Sequence, residues 1–179
     1  MYEVVESTER FRGAILRVVT DRVTMPDGKV VDRDIVHKFH AVGVVALDDQ
    51  DRVALIRQYR HAVGAYLWEL PAGLVDVDGE DDAQTALREL VEETDSSAGR
   101  MEHLLDLHLS PGFTSERIRL FLARDITEVA PEHRHLRVGE EADMQLRWVP
   151  LAEAVQMVRN GEITNAASVA GLLAAALQA

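Results

Sequence analysis

Between Asp81 and Thr94 the apolar residues Ala83, Ala86, Leu87, Leu90 and Val91 recur at spacings of three and four, the period of a helix with one buried face. The flanking stretches have another rhythm. Ala41 to Leu47 is an almost unbroken β-branched run, and Val53 to Gln58 resumes it after the polar turn Asp48-Asp49-Gln50-Asp51, which predicts a central hairpin. Met101 to Leu109, Ile118 to Ala123 and Met144 to Val149 read as further strands, the first two joined by the turn Ser110-Pro111-Gly112. Leu151 to Arg159, ended by Asn160-Gly161, and Ala166 to Leu177 read as two more helices. Strands on both sides of helices predict an α/β (α+β) sandwich.

Ahead of this pattern, Ala14 to Thr24 and Lys29 to Lys38 read as extended segments around Met25-Pro26-Asp27-Gly28, whose Pro-Asp-Gly is turn chemistry. We expect residues 1–38 to form an N-terminal antiparallel β hairpin and residues 39–179 to form the main domain. A chain of 179 residues suits one domain with a small appendage and thus one principal site. The absence of cysteine removes disulfides, thiolate catalysis and cysteine-based zinc sites together. Net charge −12 is the wrong sign for a protein that coats nucleic acid, and no apolar run approaches the length of a membrane span. The Glu-rich start lacks the order of a secretory signal, so the expected location is the cytoplasm.

On the helix, Glu89, Glu92 and Glu93 share a side opposite the apolar stripe. Spacing alone favours an ordinary solvated face, because charge runs usually lie at the surface. The alternative is a hard divalent cation, which selects carboxylate oxygens and removes their repulsion.

The surrounding residues favour the cation. Gly73 to Ser96 resembles the signature of the Nudix hydrolase family: a glycine, a glutamate, and the core Arg88-Glu89-Leu90-Val91-Glu92-Glu93, with Glu80 eight residues before Arg88. Two positions depart from that signature. Six residues separate Gly73 from Glu80 where the usual pattern has five, and Asp95-Ser96 replaces a glycine and an apolar residue. Further along, Arg57-Gln58-Tyr59-Arg60-His61, Trp68-Glu69-Leu70-Pro71-Ala72-Gly73 and Ser110-Pro111-Gly112 through Glu116 resemble the ADP-ribose pyrophosphatase branch, with Pro111 at its marker position.

The resemblance implies a Nudix α/β/α sandwich with a mixed sheet, and an N-terminal hairpin through which two subunits form a homodimer. It implies Mg²⁺, with Mn²⁺ as a substitute, held by Glu89, Glu93 and the Ala72 carbonyl, with Asp143 as a further ligand. Glu92 would assist, and Arg88 would orient the helix carboxylates, with Glu80 as a loop anchor. Glu141 in Gly139-Glu140-Glu141-Ala142-Asp143 would be the general base, with Glu140 and Asp143 as alternates. Arg60, Arg57, Leu74 and Glu116 would contact substrate; a surface pairing with the acidic excess is an equal account of Arg57, and a strand-edge role is an adequate account of Glu116. Tyr66 and Trp68 could equally be core residues or stack on adenine. The implied reaction is metal-dependent hydrolysis of a nucleoside diphosphate sugar, ADP-ribose above all, to AMP and ribose 5-phosphate. Hydrolysis of another diphosphate, or a non-catalytic ADP-ribose or NAD sensor, are the alternatives.

Overall fold

The structure, a computed structural model, describes residues 1–139 and 142–178. The chain forms two compact units, Met1–His40 with His108–Arg117, and Ala41–Leu107 with Ile118–Ala179. No helix among the described residues is long and apolar enough to cross a membrane.

In the first unit, β1 (Glu3–Arg12), β2 (Leu16–Thr24) and β3 (Val30–Lys38) form an antiparallel sheet in that order. The expected hairpin is β2 with β3, turning at Gly28, whose φ of +83° suits a residue without a Cβ. The third strand corrects the two-stranded expectation. Nine of the ten residues of β1 are exposed, so no apolar alternation announces it. Val36 also pairs with the 108–117 segment, donating to the Phe113 carbonyl at 2.8 Å and accepting from Ser115 N at 3.1 Å.

The second unit has two sheets. β4 (Ala41–Ala46), β7 (Ala72–Leu74), β8 (Ser96–His108) and β9 (Arg117–Glu128) lie in the order β7-β4-β9-β8, while β5 (Arg52–Arg60), β6 (Ala65–Glu69) and β10 (Gln145–Pro150) lie in the order β10-β5-β6. The first sheet is mixed, since β4 runs parallel to β9 and antiparallel to β7. The predicted central hairpin is not formed. β4 and β5 belong to different sheets, and the chain between them makes an isolated bridge, Leu47 to Val53, and one backbone bond, Asp48 N to the Arg52 carbonyl at 3.0 Å. The turn between them is real, but the chain uses it to change sheets. β6 and β7, separated by Leu70-Pro71, are too short and interrupted to carry a periodic signal.

Helices α1 (Asp82–Thr94), α2 (Leu151–Arg159) and α3 (Ala166–Ala176) complete the layers. Alternate residues of β4 enter two cores: Val42, Val44 and Ala46 join Ala86 and Leu90 of α1, whereas Val45, with Leu47 just beyond the strand, joins Ala154 and Met157 of α2 and Leu172 of α3. This is the period-two geometry of a strand covered on both faces. Leu90 and Leu172 are fully buried, each contributing about 1.5–3 kcal/mol of apolar transfer.

Polar links tie α1 to its sheet. Arg119 on β9 donates to both oxygens of Asp106 on β8, at 2.8 and 3.0 Å, and to Asp82 in the first turn of α1 at 2.9 Å. The Arg119 hydrogen bond, reinforced by His103, holds the Asp106 carboxyl well below the usual carboxylate range. A group so depressed stabilises the fold above its unfolded pKa of about 3.9 and loses that contribution as pH falls below it. These side chains are about one-third exposed, so Arg119→Met is expected to cost only about 1 kcal/mol at neutral pH. The difference from the parent chain in urea unfolding should shrink below about pH 4; a cost independent of pH would show that the ion pairs contribute nothing.

Candidate active site

The site is assembled from β7, the loop 75–81 and α1. Asp81 starts the helix by accepting from the amides of Ala83 and Gln84, while the Gln84 side chain accepts from the Asp81 amide at 2.9 Å, a reciprocal capping box. At the other end Asp95 takes the left-handed conformation, φ +54°, and its amide donates to the Val91 carbonyl at 3.0 Å. The aspartate standing at the signature's glycine position thus closes the helix in the conformation glycine would use.

Between these caps, the carboxylates are not on a solvated face. Glu93 is 5% exposed and its Oε2 accepts from the Ala72 amide of β7 at 2.8 Å. The expectation of a carboxylate side opposite the apolar stripe needs that correction. Glu93 lies three residues after Leu90 and shares its buried surroundings, where β7 supplies a polar partner. Glu89 is 13% exposed and packs against Gly73, where a Cβ would fall 2.0 Å from its Cδ. Glycine at 73 is what admits Glu89.

Arg88 gathers the remaining charge. Its Nε donates to Glu80 Oε2 at 3.2 Å, and its Nη1 donates to Glu89 Oε1 at 2.8 Å and Glu92 Oε2 at 3.4 Å. Glu80 Oε2 also accepts from the Thr85 hydroxyl, so the loop glutamate is fastened to the helix twice. Burial opposes the charge on Arg88, but Glu89, Glu80 and Glu92 outweigh it and keep the guanidinium protonated. Burial raises the Glu89 carboxyl above its ordinary value; Glu92 and Asp76 push it the same way, and Arg88 only partly offsets them.

Among the described residues no three acidic or histidine side chains converge on one point as a preformed metal cage. The reason is visible in the contacts, which aim Glu93 at the Ala72 amide and Glu89 and Glu92 at Arg88. The donor chemistry nevertheless fits a hard divalent cation. Glu89, Glu92 and Glu93 fall within five consecutive residues of α1, two of them on one guanidinium and the third on a backbone amide, and Glu89 is raised by burial first and then by the neighbouring Glu92 and Asp76 carboxylates.

Other candidate residues lie around this centre or apart from it. Arg60, at the end of β5, forms a two-pronged contact with Glu69, Nε to Oε1 at 3.0 Å and Nη2 to Oε2 at 2.6 Å, and Glu69 is 2% exposed. Arg57 lies over the Tyr66 ring at 4.9 Å, and Leu74 ends β7. Tyr66 is exposed rather than core and donates to Asp143 Oδ2 at 2.5 Å, while Trp68 packs on the α2–α3 core under Arg147. Glu116 belongs to the first unit, where Lys38 lies 2.6 Å from its Oε1. Glu140 and Glu141 lie outside the described residues. Sequence reasoning passed over Glu69 and Arg137. Glu69 sits in an apolar stretch that hid a buried ion pair, and Arg137 comes from a loop with no periodicity.

A model of the NUDIX domain matches residues 37–170. The chain belongs to the NUDIX family. Within it, the chain is 45% identical over 174 residues to a Mycobacterium tuberculosis protein named ADP-ribose pyrophosphatase, a match covering 97% of this chain and 82% of that one. It is 33% identical over 156 residues to a Bacillus subtilis protein of the same name, covering 87% and 82%. A solved structure described as an ADP compounds hydrolase superposes with a TM-score of 0.86, covering 99% of this chain and 93% of that one at 22% identity. That likeness shows a shared NUDIX fold, in agreement with the predicted sandwich and mixed sheet.

Proposed function

We propose that this NUDIX chain hydrolyses the diphosphate of ADP-ribose, giving AMP and ribose 5-phosphate. The observation that carries the reaction type is the packing of the α1 carboxylates against Ala72 and Gly73, with Arg88 and Glu80 behind them. The 45% identity to an ADP-ribose pyrophosphatase over nearly the whole chain supports the choice of substrate.

Glu89, Glu92 and Glu93, with the Ala72 carbonyl, would hold Mg²⁺ or Mn²⁺, which supplies neutralisation of the diphosphate and acidification of a water. Arg88 holds the helix carboxylates in place and keeps Glu80 against the start of α1. Glu141 takes the proton of the attacking water, with Glu140 beside it in the same acidic run. Arg60 presents its guanidinium at the end of β5, prepared by the buried Glu69 to receive a phosphate as a planar fork. Arg57 and Leu74 complete the substrate contacts, and Asp143 is held by Tyr66.

The active form is a homodimer joined through the N-terminal sheet. Val4, Val5, Phe11 and Val30 of that sheet are exposed, and β1 leaves a strand edge without a neighbour among the described residues.

The test is hydrolysis of ADP-ribose beside ADP-glucose, NADH and diadenosine polyphosphates, with Mg²⁺, Mn²⁺ or chelator, following AMP by chromatography. Chelator-sensitive release of AMP, greatest from ADP-ribose, is expected. Preference for another diphosphate would overturn the substrate, and tight binding without cleavage would replace the enzyme by a sensor.

A further inference from the structure

The segment after β9 runs past the C-terminal end of α1 and is fastened there twice. The Val129 amide donates to the Asp95 carbonyl at 2.8 Å. Arg137 then donates from Nε to the Glu92 carbonyl at 3.0 Å and places Nη2 2.9 Å from Asp95 Oδ2. Both side chains are largely enclosed, at 24% and 21% exposure.

This contact answers a deficit of the helix. The last turn of an α-helix leaves carbonyls without amide partners and carries the negative end of the dipole, which a cation there relieves. α1 has no basic residue in its last turn. Arg137, 45 positions along from Glu92, brings a donor and a charge from outside the signature. The carbonyl it holds belongs to Glu92, and the next residue is Glu93.

Two accounts of Arg137 are separable. In one, it only neutralises Asp95, whose Oδ1 is buried without a hydrogen-bond partner among the described residues. In the other, its main-chain bond to Glu92 is what fixes the last helical turn, and Asp95 only balances the charge. The bond to a backbone carbonyl, which neutralising Asp95 does not require, favours the second. We infer that Arg137 is a positioning residue of the reaction: it clamps the last turn of α1 and so holds Glu92 and Glu93 in the geometry that receives the metal. This rests on the reading of α1 as the metal-binding helix.

The experiment compares the parent chain, Asp95→Gly and Asp95→Gly/Arg137→Met. Each is followed by Mn²⁺ binding through electron paramagnetic resonance without substrate, by amide exchange in 91–95, and by kcat and KM. Asp95→Gly retains the bond to Glu92 and puts glycine at φ +54°, so Mn²⁺ affinity and kcat should stay near the parent values. The double variant removes the charge pair as a whole, leaving no orphaned carboxylate to unfold the site. It should lose about tenfold or more in Mn²⁺ affinity and kcat, with faster exchange in the last turn and little change in KM. Equal Mn²⁺ affinity, kcat and exchange in the two variants would overturn the clamp. If the parent chain binds Mn²⁺ but does not cleave ADP-ribose, the substrate reading fails while the Mn²⁺ and exchange arms still decide the clamp. A parent chain that binds no Mn²⁺ refutes the metal reading and the clamp together.

Discussion

Glutamine in place of Glu93 is expected to lower kcat about a hundredfold or more, with KM and the thermal midpoint nearly unchanged. The substitution separates charge from shape. Glu93 is almost fully buried and its Oε2 accepts from the Ala72 amide at 2.8 Å; the glutamine carbonyl accepts the same bond in the same volume. Removing a buried charge does not penalise the fold, since desolvating a carboxylate is costly in the first place. What disappears is negative charge where a divalent cation would sit. Steady-state kinetics with a melting curve on the same preparation check this, and a kcat near the parent value would remove Glu93 from the metal site.

Alanine in place of Gly73 should also cost about a hundredfold in kcat, by displacement instead of neutralisation. The new methyl would lie 2.0 Å from Glu89 Cδ and 2.1 Å from its Oε1. Both atoms are at the free end of a flexible side chain, so the clash is relieved by swinging Glu89 aside, with the backbone of β7 kept. Stability should change little. The expected signature is a folded protein with weakened Mn²⁺ binding and slow turnover, and parent-like Mn²⁺ affinity would show that Glu89 is not a ligand.

The parts of the fold that repeat regularly were legible in the sequence. Ala86 and Leu90 marked the inner face of α1, and Leu151 to Arg159 was bounded correctly because proline precedes that helix and Asn160-Gly161 follows it. Features that depend on distant partners were not legible. The turn 48–51 looks the same whether the strands beside it pair or part, and here they part, since β5 finds β6 and β10 while β4 finds β7 and β9. β1 shows no alternation because it is exposed nearly throughout.

The site divides in the same way. Arg88, Glu89, Glu92 and Glu93 were visible as a local pattern, since one helix sets their spacing. That Glu93 is buried was not visible, because its partner is the amide of Ala72, 21 positions away. Nor could spacing show Glu69 beneath Arg60, or Arg137 at the end of α1, because each contact is made only once the sheets and loops close.

The double duty of β4 bears on how accurately the site is built. Its alternate residues line two different cores, and the same strand pairs Val42 with Gly73 and Gly43 with Ala72. A slip of one residue would send every core side chain of β4 to the opposite face, spoiling both interiors at once. The strand is therefore indexed from two directions, and β7 inherits that index. The amide that meets Glu93 and the glycine that admits Glu89 are held to their positions along the strand by the packing of the whole second unit.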